Sequence, residues 1–185
     1  MTTRKFYKGS LLISNASIVT DDFHKSVVFI VEHDPAGAFG LVVNKKSKYL
    51  LNDVVVGIPP DVSLEVPMYW GGPVDSSFIS ILHDQAQWKD PGIETAKGVF
   101  LSRSYDLLLK LLETEGSNFK VFHGYSGWGA GQLESEFDRK SWVTDEADNE
   151  IVLLHNPEEV WKDALVRKGG IYKYFAEHTK DPLLN

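Results

Sequence analysis

The sequence predicts an α+β fold, a single domain with a mixed, mostly antiparallel sheet and a few packed helices. Three observations point there. Eight short apolar runs, rich in Val, Ile and Phe and bounded by Gly, Pro, Asp or Asn, read as strands. Three one-sided apolar stripes read as helices. Strands come first, and strands mixed with helices follow, without the strict alternation of a doubly wound sheet. The chain has 185 residues, 43% hydrophobic and 24% charged, which suits one ordinary core spanning 1–185.

The predicted strands are 10–13, 27–32, 39–43, 67–70, 78–82, 98–101, 119–123 and 151–154. Between the second and third lies "EHDPAGAFG", where Pro35 and Gly37 suit a turn, so these two strands form a hairpin. The segment 47–55, "SKYLLNDVV", is read as a short helix in preference to a strand. In "SRSYDLLLKLLETEG", Leu107, Leu108, Leu111 and Leu112 make one stripe, Asp106 suits the positive end of the dipole, and Gly116 is the stop. In "GQLESEFD", Leu133 and Phe137 lie one turn apart. In "NPEEVWKDALVRKGG", Asn156 caps, Pro157 takes the first helical position, Glu159 completes a capping box, and Gly169 and Gly170 end the helix.

The chain has no cysteine, which excludes disulfides, thiol catalysis and thiolate metal sites. The formal charge is −7. Lysines and arginines are scattered, with small groups at Arg4, Lys5 and Lys8, at Lys45, Lys46 and Lys48, and at Arg167 and Lys168. Such groups read as solvated surface, and direct DNA binding is not expected. No apolar run approaches the roughly 20 residues that span a bilayer, and the start lacks the apolar core of a signal peptide. The expectation is a soluble, cytoplasmic protein without membrane contact.

The stretch "GYSGWGAGQLESE", 124–136, asks for a function. It follows a predicted strand and precedes a helix, the context of a phosphate loop. However, it ends in Gly131-Gln132-Leu133 rather than Gly-Lys-Ser/Thr, and Gln132 stands where a dinucleotide loop needs its third glycine. Glu134 and Glu136 would also repel an anion there. A nucleophile elbow fails because Trp128 follows Ser126 by two. The reading that remains is a turn anchored by Tyr125 and Trp128. Its far end is one wall of a site, with Gln132 and Glu136 exposed on the helix face away from Leu133 and Phe137. Truncating either is then expected to change stability by only about 0.5 kcal/mol.

The same stretch resembles the signature of the AlgH/YqgE family of small bacterial proteins. Three further pieces match in order: "EHDPAGAFGLVVNKK" with His33 and Asn44, "YWGGPVD" with Gly71, Gly72 and Pro73, and "VLLHNPEEVWKDAL". The resemblance runs over nearly the whole chain. It implies a bent, branching sheet; the family's biochemical activity is unassigned, its name derives from a proposed regulatory role in exopolysaccharide synthesis, and it brings no catalytic residue with it. The candidate ligand- or partner-binding residues are therefore His33, Asn44, Gly71, Gly72, Pro73, Tyr125, Trp128, Gln132 and Glu136. If the Gly71–Pro73 turn lies beside the 124–131 stretch, the two line a pocket. His33, His83, His123 and His155 each fall at or next to a predicted strand end, yet no spacing gathers them, so no metal and no cofactor is expected.

The functional reading is a non-enzymatic binding or regulatory protein acting through an unknown protein or small-molecule partner. The alternative is a hydrolase-like enzyme without a recognised motif. Nucleic-acid binding ranks last.

Overall fold

The computed structural model describes residues 6–15, 22–59 and 65–178. Arg4 and Lys5, read above as part of a basic group, lie outside them. Ten strands form one sheet: β1 (Ser10–Ser14), β2 (Val27–Asp34), β3 (Gly37–Val42), β4 (Lys46–Leu50), β5 (Pro67–Trp70), β6 (Val74–His83), β7 (Ile93–Ala96), β8 (Val99–Ser102), β9 (Phe119–Gly129) and β10 (Trp142–Glu146). The main order is β10-β1-β2-β3-β9-β6-β8-β7, with β5 beside β9 and β4 beside β5. Every pairing is antiparallel except β5 with β9.

β9 is the hub at which the sheet branches. Its first half pairs with β5 at Val121–His123, and its second half pairs with β3 at Ser126–Gly129. β6 runs along the opposite edge. Gly124 sits where one partner hands over to the other, at a φ of +68° that only glycine adopts freely. The sheet curls into a half-barrel whose edge strand β7 comes back towards β2.

The helices are α1 (Leu51–Val54), α2 (Tyr105–Glu113), α3 (Gln132–Asp138), α4 (Val160–Lys168) and α5 (Gly170–His178). Ser104 caps α2 by accepting from Leu107 N at 3.2 Å, and Leu107, Leu108 and Leu111 pack on Ile81 and Val121. Leu11, Ile13, Phe29 and Phe122 share a core with Trp161 and Leu165 of α4. Leu12, Val28 and Ile30 point the other way, onto Trp128, Leu133 and Trp142. β1 and β2 are thus buried on both faces, which is why they read as unbroken apolar runs rather than alternating ones.

Several expectations are corrected. The 124–131 stretch is not a loop, because β9 continues to Gly129 and only Ala130 and Gly131 turn. The predicted strand 151–154 is a π-helix, Glu150–Leu154, closed by His155 N donating to Glu150 O at 2.8 Å. A four-residue apolar run does not distinguish strand from helix. Here Asp148 Oδ1 takes Ile151 N and starts the coil. Segment 47–55 divides into β4 and α1. α4 begins at Val160 instead of at Pro157, but Asn156 does cap the turn that leads into it, its Oδ1 accepting from Glu158 N at 3.2 Å and its carbonyl from Glu159 N and Val160 N. No capping box forms at Glu159. β7, β10 and α5 have no counterpart among the predicted elements. Nor does every histidine mark a strand end, since His123 lies within β9 and His155 follows the π-helix.

Candidate functional site

The Gly71–Pro73 turn and the second half of β9 do meet. Gly71 N donates to His123 O at 2.9 Å, and Ser126 Oγ donates to Gly71 O at 3.0 Å. The contact is backbone on backbone. A Cβ on Gly71 would sit 2.3 Å from Gly124 O, and one on Gly72 2.3 Å from the carbonyl carbon of Tyr125. This glycine pair therefore packs the branch point and leaves no room for a ligand between the two motifs.

The open space lies one step further along β6. After Val74 the pairing of β6 with β9 breaks and resumes at Ile79. Residues 75–78 bow outward as a bulge, a device that re-aims side chains beside sites. Asp75 holds it at a φ of +43°, its Oδ1 accepting from Ser77 N at 3.1 Å and Ser77 Oγ at 2.6 Å. Beneath the bulge is a cleft of about 540 Å³. It sits in the mouth of the half-barrel, where β7 and β2 fail to join; Gly9 touches Thr95 beside the same gap.

Three rings floor the cleft. Phe39, Phe78 and Tyr125 lie with centroids 5.7, 5.1 and 5.1 Å apart and planes inclined at 67°, 42° and 61°. Val31, Ile93 and Leu101 complete the apolar wall. Exposed Lys8, Glu32 and Asp75 bring the charges. A shallower trough, lined by Asp34, Ala36 and Trp128, continues from Glu32 and Phe39.

Of the nine residues proposed from sequence, Tyr125 lines the cleft and Trp128 the trough. Six of the others tie the fold together. Asn44 Oδ1 accepts from Val27 N at 2.7 Å while its Nδ2 donates to Lys25 O at 2.8 Å. His33 is buried, and its Nδ1 accepts from Tyr7 N at 3.1 Å, which leaves the proton on Nε2. That nitrogen is 3.6 Å from Glu134 Oε1, too long for a hydrogen bond. Gln132 Oε1 accepts from Gly129 N at 3.1 Å and closes the turn. Glu136 is half-buried rather than exposed, and it accepts from two tryptophans. Pro73 is exposed beside Val74. The residues that sequence reasoning missed are Glu32, Phe39, Asp75 and Phe78. The signal for Asp75 was available: "VDSSF" puts turn chemistry inside a strand.

The histidines stay apart. His83 Nε2 faces Pro91 O at 2.8 Å, with its ring between Trp88 and Phe100, and burial lowers its pKa against the opposing pull of Pro91 and Asp84. His123 Nε2 meets Ser47 Oγ at 2.9 Å, and burial lowers its pKa as well. His155 pairs with Asp163 at 2.8 Å. Among the described residues no three His, Asp or Glu come together in a group able to hold a metal. Among those residues no helix is long and apolar enough to cross a membrane. Lys120 is also strongly perturbed; its Nζ donates to Val43 O at 3.0 Å beside the Tyr69 ring. Burial first, and the Lys46 charge second, lower its pKa to about 7.

A branched, curled sheet with helices packed on it and an aromatic cleft in its open mouth defines a single-domain α+β protein of the half-barrel kind. The model of the AlgH-like family matches residues 11–173, and the chain belongs to that family. It is 33% identical over 184 residues to a UPF0301 protein of Chlorobium limicola, covering 98% of this chain and 97% of the relative. A UPF0301 protein of Cytophaga hutchinsonii is 34% identical over 183 residues, 96% of this chain and 98% of its own. The solution structure of the AlgH protein from Pseudomonas aeruginosa superposes with a TM-score of 0.76 at 30% identity, over 92% of this chain and 93% of that one.

Proposed function

We infer that this protein is a non-enzymatic binding protein that holds a small ligand in the aromatic cleft and exerts a regulatory effect through it. The observation that carries this reading is the cleft beneath the β6 bulge. Its volume of about 540 Å³ falls in the range of small-molecule sites. Its lining is mostly apolar and aromatic with a few charged groups, the usual composition of such a site. The test is an amide chemical-shift titration with small aromatic fragments. Shifts confined to Val31, Phe39, Phe78, Leu101 and Tyr125 support the reading, and shifts centred elsewhere, or none, overturn it.

A hydrolytic reading rests on one contact, that of His123 Nε2 with Ser47 Oγ at 2.9 Å, which places an imidazole nitrogen within reach of the hydroxyl proton. Neither residue lines the cleft. Turnover of a simple aryl ester that disappears in Ser47→Ala would favour that reading over binding alone.

A further inference from the structure

We propose that the cleft is selective for a small organic cation, an amine or guanidine on an apolar body; this rests on the binding reading above. The rim carries two carboxylates, Glu32 and Asp75, against one ammonium, Lys8. The trough that continues the cleft adds Asp34 and no cation. The Glu32 carboxylate makes no ion pair or hydrogen bond among the described residues. Asp75 turns Oδ1 to Ser77, which leaves Oδ2 for a ligand.

The floor suits the same charge. The faces of aromatic rings are electron-rich and attract cations. Phe78 already does so, because Arg103 stacks on it with Cζ 4.1 Å from the centroid. Arg103 is not part of the cleft lining, whereas Phe78 is, together with Phe39 and Tyr125. A protonated amine over this floor meets ring faces below and carboxylates at the side, while its apolar stem covers Val31 and Leu101. An anion in the same place meets Lys8 in the lining, with the Arg103 guanidinium against Phe78, and is opposed by both carboxylates.

Asp75 also explains the geometry. At a φ of +43°, Asp and Asn are the side chains best tolerated after glycine. The residue that shapes the bulge is thereby one that places a negative charge at the mouth.

The test uses three probes with one phenyl body and three charges: phenethylamine, phenethyl alcohol and hydrocinnamate. Each is titrated at neutral pH into the protein and into the Glu32→Gln, Asp75→Asn double variant, with amide shifts of the cleft residues as the readout. Both substitutions are close to isosteric, and Asn keeps the bonds to Ser77 and tolerates the backbone. The expected result is that the amine binds about three- to tenfold more tightly than the alcohol, and the acid more weakly than either. In the double variant the amine's advantage over the alcohol shrinks to the part that the ring faces supply. If the alcohol matches the amine in the parent protein, or the acid binds best, the cation preference is wrong while the binding site stands. Retention of the full preference in the double variant overturns the role of the carboxylates. If no probe shifts the cleft resonances, the binding reading itself falls, and this one with it.

Discussion

Trp128 Nε1 donates to Glu136 Oε2 at 2.9 Å, and Trp142 Nε1 donates to the same oxygen at 2.7 Å. One carboxylate on α3 thus fastens the end of β9 to β10, two strands that β1, β2 and β3 separate in the sheet order. Both indoles are only 6% exposed. Glu136→Ala leaves two buried donors without an acceptor, each costing about 1–3 kcal/mol, so the loss should exceed 1 kcal/mol and not the 0.5 kcal/mol of an exposed residue. Glu136→Gln keeps one acceptor oxygen and should lose less. Urea denaturation of both variants measures the difference, and an Ala variant as stable as the parent would refute the clamp.

The glycines of the branch point should differ sharply from the glycine of the turn. A Cβ on Gly71 collides with Gly124 O at 2.3 Å, while one on Gly131 meets nothing within 4 Å. Gly131 has only its φ of +76° to lose, about 1–2 kcal/mol. Gly131→Ala is therefore expected to fold with slightly reduced stability. Gly71→Ala must push two backbones apart, and it should cost more than Gly131→Ala or fail to give soluble protein. Expression and thermal melting of the pair decide the matter, and equal melting temperatures would contradict the packing described.

Lys120 should make stability rise with pH. Its pKa is lowered from 10.5 in the unfolded chain to about 7 in the folded one. The unfolded state therefore holds the extra proton between those values, and stability climbs from pH 7 to 10.5 and is lowest below 7. Lys120→Met removes that slope. The variant is expected to gain on the parent as the pH is lowered from 10 to 7. Parallel denaturation midpoints for the two proteins across this range would show that the buried amine keeps its ordinary pKa.

Asn44 joins the start of β2 to the turn before it, through Val27 N and Lys25 O. Lys25 is held at a φ of +50°, so the turn depends on such fixing. Asn44→Asp retains the acceptor and loses the donor, while Asn44→Ala loses both. Stability is expected to fall in that order, with about 1–3 kcal/mol lost for Ala. Hydrogen exchange at Val27 provides a local readout, and an unchanged protection factor in Asn44→Ala would count against the bridge.

Chelation should leave the fold untouched. His33, His83, His123 and His155 each have a separate partner in Tyr7, Pro91, Ser47 and Asp163. Thermal melts with and without a strong chelator are expected to coincide. A fall in melting temperature restored by one divalent ion would mean that these histidines meet in a way the described geometry does not show.

The sequence by itself determined most of the strands, the β2–β3 hairpin, helices α2 and α3 and the packed stripe of α4. These rest on local chemistry: β-branched runs, Pro and Gly at a turn, leucines at helical spacing. The ordered motifs of 32–46, 69–75, 124–136 and 152–165 were enough to suggest the family. Tertiary structure alone decided the rest. Glycines at 124, 127 and 129 look like a loop, yet β3 pairs with Gly127 and Gly129 while β6 reaches Tyr125, and Gly71 and Gly72 pack directly against the backbone of Gly124, Tyr125 and Ser126. Ile151–Leu153 look like a strand, but their hydrogen bonds close locally and their side chains reach the core from a π-helix. Glu136 looks exposed from its helix face, and only the approach of Trp128 and Trp142 buries it. The cleft is the clearest case. Phe39, Phe78 and Tyr125 come from strands far apart in sequence, and they converge because one bulge in β6 bows the sheet open above them.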